Sequence, residues 1–237
     1  MNRVRIKKTD LAGVIVDRGK GRCRVLLDSY DAPLWLYNDE IEPIPRVCAA
    51  RKERRKKGRR AAFVPGTRFK YSGFEWIALE ETNGGVLVVT AECLTDTDGD
   101  LNKFPFDEND KNDWRKSSLR KYLNGEFLQA IDADSLIKQT LDLTADDGMR
   151  NYGTSNDYVG ILSCEQYRKY RDILPDYGCW WWTLTPWTCL ASYSYHVRYV
   201  YTSGSVGCYG AHNASGVAPT LIIKSEVYNA LQQEDQT

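Results

Sequence analysis

The residues whose types could act as base, nucleophile or metal ligand in one place are Cys208 and the only two histidines of the chain, His196 and His212. A nucleophilic mechanism needs a base within reach of a serine or cysteine, and Cys208 and His212 stand four residues apart. Two ligands do not make a structural zinc site, which takes four. Asp96, Asp98, Asp100 and Asn102, in DTDGDLN, gather the oxygens that calcium prefers. The glycine of that run is its fourth residue, whereas an EF-hand loop needs glycine at the sixth, so an acidic surface loop is expected instead. There is no glycine-rich phosphate loop of P-loop or Rossmann form. No catalytic residue, metal or cofactor is therefore expected, and the chain reads as a non-enzyme.

What remains is the chemistry of recognition. Residues 180–223 run WWWTLTPWTCLASYSYHVRYVYTSGSVGCYGAHNASGVAPTLII. Tyrosine and tryptophan offer wide, stiff, amphipathic contact area, and Ser, Gly and Asn add adaptable hydrogen bonds. Val197, Val200, Val206, Ala211, Val217 and Pro219 read as scaffold positions. Between them fall Tyr193, Tyr195, His196, Tyr199, Tyr201, Ser203, Cys208, Tyr209, His212 and Asn213, the expected displayed set. In an extended chain successive side chains face opposite sides, so the two sets can interleave. Trp180, Trp181 and Trp182 are expected in the core, with one of the three reaching the ligand face, since tryptophan is highly buried on average. Trp187, just after Pro186, is expected on a loop as a rim anchor.

Those residues need a frame. Arg68–Leu79 and Gly85–Ala91 read as a strand pair joined around Glu81-Thr82-Asn83-Gly84, because Asn-Gly favours a hairpin. Asp113–Ile131 reads as a helix: Leu119, Tyr122 or Leu123, Phe127 and Ile131 recur at three- to four-residue spacing, and Asp113 or Ser117 is placed to cap it. Ser163–Tyr170 reads as a second helix with a capping box of Ser163 and Gln166, preceded by a short strand over Tyr158–Leu162. Before all this, Gly13–Val16, Cys23–Leu27 and Leu34–Tyr37 read as short strands with tight turns, which suggests a small barrel resembling the SH3-like barrels of phage and bacterial proteins.

Charge separates these parts. Residues 1–60 carry 17 Lys/Arg against 8 Asp/Glu, and residues 61–237 carry 15 against 24, so a net of +9 is cancelled by a net of −9. Such asymmetry suggests two modules. The boundary is the basic run RVCAARKERRKKGRR at residues 46–60, read either as a solvated tether or as a phosphate-binding patch led by Arg54, Arg55, Lys56 and Lys57. The expected organisation is a barrel at 1–45, a linker at 46–62, a ligand-binding domain at 63–226 and a polar tail at 227–237. No run approaches the roughly 20 apolar residues of a membrane span, and the basic start lacks a signal-peptide core, so cytoplasmic synthesis is expected. Seven cysteines at scattered spacing, without CxxC, favour free thiols.

One ordered set of segments carries a resemblance. It runs from FKYSGFEWIALE through FDENDKNDWRKSSLRKYLNGEFL, LDLTADDG and VGILSCEQYRKYRDILP to WWWTLTPW, VRYVYTSGSVG and GVAPTLII. Over residues 63–224 the chain resembles bacterial and prophage proteins of C-type-lectin-like fold, related to the formylglycine-generating-enzyme fold, and the variable proteins of diversity-generating retroelements. The resemblance implies an α+β domain with a small irregular β core and two helices, displaying a ligand face near its C-terminus. In the diversified members, copying errors at template adenines turn AAY codons into NNY codons, which cannot encode Trp, Lys, Glu, Gln or Met. Residues 188–216 contain none of these five. The counterpart of the related enzymes' catalytic cysteine segment is missing, so their activity is not carried over.

The expected role is therefore binding of a protein or glycan target through Trp187 and the displayed set. The N-terminal module would attach it to a phage structural partner or to nucleic acid, and incorporation in a phage particle would follow. A fixed assembly protein and a nucleic-acid-associated protein remain as rivals.

Overall fold

The computed structural model describes residues 3–6, 12–18, 22–27, 34–37, 40–43, 63–95 and 100–234. Arg54, Arg55, Lys56 and Lys57 lie outside the described residues, as do Asp96 and Asp98. The chain divides into two compact units, Met1–Arg59 and Arg60–Thr237.

The first unit is an antiparallel sheet of β1 (Arg3–Ile6), β2 (Ala12–Arg18), β3 (Arg22–Leu27), β4 (Leu34–Tyr37) and β5 (Ile41–Pro43). Its order is β4-β3-β2-β1-β5, a four-strand meander to which β5 returns beside β1. A register shift between Ile15 and Asp17 bends β2. Among the described residues β4 and β5 do not pair, so the expected barrel is an open sheet with two edges. Val25 is fully buried, and the Arg22 guanidinium lies 4.7 Å from the Trp35 ring centroid.

The second unit begins with β6 (Arg68–Tyr71), β7 (Phe74–Thr82) and β8 (Gly85–Thr90). The expected single strand over 68–79 is thus two strands. Ser72 and Gly73 turn the chain with φ of 48° and 82°, and Tyr71 pairs with Phe74. Two consecutive positive-φ residues make the type of turn whose twist suits a hairpin. The next hairpin closes at Asn83-Gly84 as expected, with Thr82 paired to Gly85. Gly85 has to be glycine for packing reasons: a Cβ there would lie 2.6 Å from Ile222 Cγ2 and 2.7 Å from the Ile223 carbonyl oxygen.

Further along come β9 (Phe104–Pro105), β10 (Leu136–Ile137), β11 (Gln139–Asp142), β12 (Thr154–Asp157) and β13 (Gly160–Ile161). The C-terminal strands are β14 (Trp181–Pro186), β15 (His196–Val200), β16 (Val206–Gly210), β17 (Ala214–Ser215) and β18 (Pro219–Lys224). The main sheet runs β10-β18-β8-β7-β6, and β13 also pairs with β18. β8 buries all six of its residues, because both faces of this sheet are covered. Val86 and Val88 point to a layer with Trp76, Leu221 and the helical segment, while Leu87 and Val89 point to a layer with Ile77, Leu79, Tyr167 and Trp181.

Both proposed caps of the long helical segment are used. Asp113 caps a 3₁₀ turn over Trp114–Lys116, and Ser117 then caps α1 (Ser118–Tyr122). The helix widens into a π turn over Leu123–Phe127. Leu119, Leu123, Phe127 and Ile131 all enter one core, whereas Tyr122 is half-buried. α2 (Cys164–Tyr170) begins with the expected reciprocal capping box of Ser163 and Gln166. The polar tail and the count of two helices both require correction: α3 (Ser225–Glu234) is a third helix. Val227, Tyr228 and Leu231 form its apolar side, and Tyr228 is buried edge-on to Phe69 at 5.2 Å. Apolar residues at this spacing make a helix face that must be covered.

Candidate functional site

The chemistry-bearing C-terminal residues are organised by a three-stranded sheet of order β14-β15-β16. All six residues of β14 are buried. Strand alternation divides the tryptophans. Trp181 turns to the α2 layer, meeting Tyr167 at 5.5 Å and Tyr177 at 5.3 Å. Trp182 turns the other way into the main core and donates from Nε1 to the Phe104 carbonyl at 2.8 Å. Trp180 shares that second direction but stays 45% exposed, so one of the three does reach the surface.

An aromatic layer grows from this division. Trp180 lies 5.2 Å from Tyr201 and 6.1 Å from Tyr209, both edge-on, while Tyr199 lies 4.6 Å from Tyr201 and 5.6 Å from Tyr209. Edge-on and tilted pairs of this spacing satisfy the ring quadrupoles and contribute about 0.5–1.5 kcal/mol each beyond area burial. Gly207 allows the layer to close: a Cβ there would stand 2.6 Å from Tyr201 Cε2 and 3.0 Å from Tyr199 Cε1.

Tyr199 itself is a correction to the displayed set. It is 2% exposed and belongs to the floor of the layer, beside Trp182. Two-residue alternation places it on the face of Val197, which is also buried. Burial, then the hydrogen bond to Tyr201, pushes its phenol pKa above the ordinary value. Among the scaffold positions, Val197, Val200, Ala211, Val217 and Pro219 are buried, but Val206 is half-buried.

A second aromatic group flanks the first. Trp187 meets Tyr193 at 5.7 Å and His196 at 5.3 Å, and Tyr195 lies 4.3 Å from His196. Tyr193 is 47% and Leu190 50% exposed, whereas Trp187, Tyr195 and His196 are half-buried. Of the remaining displayed positions, Ser203, Cys208 and His212 are exposed, and Tyr201, Tyr209 and Asn213 are half-buried. Ser203 Oγ lies 2.9 Å from Ser205 Oγ at the β15–β16 tip, and Asn213 Nδ2 donates to the Gly210 carbonyl at 3.1 Å.

Residues far away in sequence hold this face. Asn112 is fully buried; its Nδ2 donates to the carbonyls of Thr188 and His196, both at 2.9 Å, and its Oδ1 accepts from the Tyr152 hydroxyl at 2.8 Å. Asp110, at φ 56°, accepts from the His212 backbone at 3.1 Å and lies 2.9 Å from His212 Nδ1. Burial pushes the Asp110 carboxyl up, but the bonds and charge of His212 outweigh it and hold its pKa below the ordinary value. Asn112 and Asp110 lie in FDENDKNDW, whose density of Asp and Asn was the available signal. Arg198 is anchored by an ion pair with Asp146.

Among the described residues no serine, threonine or cysteine side chain hydrogen-bonds to His196 or His212, and no group of three potential metal ligands occurs. Cys208 is an exposed free thiol, and Cys93, Cys164, Cys179 and Cys189 are free thiols as well. No helix among the described residues is long and apolar enough to cross a membrane.

A comparison with curated proteins finds no match. Residues 142–225 are similar to a domain of unknown function, DUF6273, a stretch that starts at the end of β11, takes in both aromatic groups and ends at the first residue of α3.

Proposed function

We propose that the second unit is a non-enzymatic recognition module of C-type-lectin-like type, which meets a protein or glycan surface through the two aromatic groups. The observation that carries this reading is the layered construction of the face. Buried Trp182 and Tyr199 make a rigid floor, and Trp180, Tyr201 and Tyr209 stand on it at the surface. Preorganised aromatics bind with little loss of side-chain freedom. Around them, Ser203, Cys208 and His212 are exposed, and Ser203 and Cys208 stand clear of the Asp110 contact that holds His212, so their identity can change while the fold holds. That is the tolerance retroelement diversification demands, and the absence of Trp, Lys, Glu, Gln and Met from residues 188–216 supports it.

The first unit serves as the attachment module, to a phage structural partner or nucleic acid. Its strand order, with β5 returning to β1 beside a meander, supports an SH3-like relationship. The segment containing Arg54, Arg55, Lys56 and Lys57 would add phosphate contacts; a charge-neutralised quadruple variant with unchanged, salt-independent retention on DNA and RNA would remove that role.

The primary test is the DNA flanking the gene. A near-copy of the segment encoding residues 180–220, mismatched only at template adenines and accompanied by a reverse-transcriptase gene, is expected. Mismatched codons should fall at Tyr201, Ser203, Cys208, Tyr209 and His212, and should spare Tyr199 and Val197. Related alleles with an invariant face would instead favour a fixed assembly contact.

A further inference from the structure

Cys93 and Cys179 stand 86 residues apart in sequence, yet their sulfurs lie 3.6 Å apart. Both are held by backbone and side-chain bonds. Cys93 follows β8 and precedes Leu94, whose amide donates to the Val217 carbonyl at 2.9 Å. Cys179 follows Gly178, which turns with φ 65° while its amide donates to Asp176 Oδ1. The Tyr177 hydroxyl donates to the Thr90 carbonyl at 2.9 Å and so clamps the Cys179 segment to the exit of β8. Gly216 provides the room: a Cβ there would lie 2.7 Å from Cys179 Sγ and 3.0 Å from Cys93 Sγ.

We propose that Cys93 and Cys179 are a thiol–disulfide pair, oxidised by peroxide and reduced by a dithiol, which when closed ties the start of the Trp180–Trp182 segment to the central sheet. Closing needs the sulfurs to approach from 3.6 Å to about 2.0 Å. The two thiols differ in role. Cys179 is half-exposed and Cys93 is buried, so an oxidant reaches Cys179 first. The sulfur–sulfur hydrogen bond shared with Cys93 pulls the Cys179 pKa down, against burial and with help from the charge of Lys103, so the net shift is below the ordinary value. The same bond, and then burial, pushes Cys93 up. Low thiolate pKa and access favour attack by Cys179.

The step balances as follows. The Cys179 thiolate attacks one oxygen of hydrogen peroxide; the O–O bond breaks, water leaves after proton uptake, and a sulfenic acid remains. The Cys93 sulfur then attacks Cys179 sulfur, the S–O bond breaks, and hydroxide leaves as water with the Cys93 proton. Two thiols lose two electrons and two protons, and the peroxide takes both to yield two waters. A dithiol reductant reverses the bond by exchange.

The test uses the full chain, fully reduced and then given stoichiometric hydrogen peroxide. Non-reducing peptide mass spectrometry should find the Cys93 and Cys179 peptides joined, with a loss of about 2 Da, and dithiothreitol should restore both free thiols. The exposed-site variant Cys208→Ser should close the same bond, and Tm should be higher in the oxidised than in the reduced protein because an 86-residue loop is closed. Oxidation that stops at sulfinic or sulfonic acid on Cys179, with Cys93 still open to alkylation after unfolding, would overturn the proposal, as would equal Tm in both states. This result is independent of what the aromatic face binds.

Discussion

β14 and β16 belong to the same three-stranded sheet and treat their side chains in opposite ways. β14 buries every residue, Trp181 to Pro186, whereas β16 buries only Gly210. The difference is not composition, since both carry aromatic and small residues. Both are edge strands of this sheet, but β14 has the main core on one side and the α2 layer on the other, whereas the residues of β16 before Gly210 stay half-buried or exposed. Two tryptophans on the same side of the chain make the same point. Trp182 is fully buried and Trp180 is nearly half exposed, because Trp180 lies just before β14, where the main core no longer covers it. A buried frame and an exposed surface are thus neighbours in one sheet.

The strongest way to break this contrast is at its buried side. Trp182→Ala removes a fully buried ring and its bond to the Phe104 carbonyl, so a loss of about 3–5 kcal/mol in urea unfolding is expected. Trp180→Ala should lose only about 1 kcal/mol. Similar losses for the two would mean that the aromatic layer carries as much of the fold as the core does.

Asp157 tests the frame through its charge. It accepts from Arg120 Nε and Nη2, from Trp114 Nε1 at 2.9 Å and from Ser155 Oγ at 2.7 Å. Burial would push this carboxyl up, but the bonds from Arg120, Ser155 and Trp114 and the charge of Arg120 outweigh it, and its pKa lies below the ordinary value. A depressed folded-state pKa gives stability that is present above the unfolded value, about 3.9, and lost as pH falls through the folded one. Asp157→Asn should destabilise by about 3 kcal/mol at neutral pH by leaving Arg120 without its counter-charge. The Tm gap between the two proteins should narrow on acidification; a constant gap from pH 7 to pH 2 would contradict the assignment.

A smaller effect is expected where frame and surface meet. Gly207→Ala inserts a Cβ against the Tyr201 and Tyr199 rings and should lower stability by about 1–3 kcal/mol. It should also change the near-ultraviolet circular dichroism of the aromatic layer; an unaltered spectrum would show that the rings do not pack over Gly207. At the far end of the scale, Ser203→Asn and Cys208→Tyr should each stay within about 0.5 kcal/mol of the parent protein, as exposed positions do. A large loss at either would remove it from the set that can vary.

Much of the local structure was legible from neighbouring residues. The Asn83-Gly84 hairpin and the Ser163–Gln166 capping box involve partners within a few residues, and their hydrogen bonds form as expected. The four-residue spacing of Leu119, Leu123, Phe127 and Ile131 gave one buried stripe, even though part of the helix is a π turn. The Ser72-Gly73 turn had a local signal too, concealed by the aromatic and charged residues that alternate on both sides of it, Arg68 to Tyr71 and Phe74 to Trp76, as in one continuous strand. α3 was hidden by its polar composition, since only Val227, Tyr228 and Leu231 mark its buried side.

The candidate face was legible in composition and less so in detail. A Tyr-, Ser- and Gly-rich segment has the composition of a contact surface, and period-two alternation separates side chains by face, but neither says which face meets the core. β15 illustrates the limit: Val197 and Tyr199 enter one core layer and Val200 the other, so Tyr199 is buried despite its type. Asn112 reaches 84 residues along the chain to His196, and Cys93 reaches 86 to Cys179. By itself the sequence determined turns, caps, helix stripes and the chemical character of residues 180–213, because those depend on side chains close together along the chain. Only the tertiary structure decided which aromatics are floor and which are surface, which polar side chain supports them, and which thiols face each other, because those depend on distances between segments that no local pattern encodes.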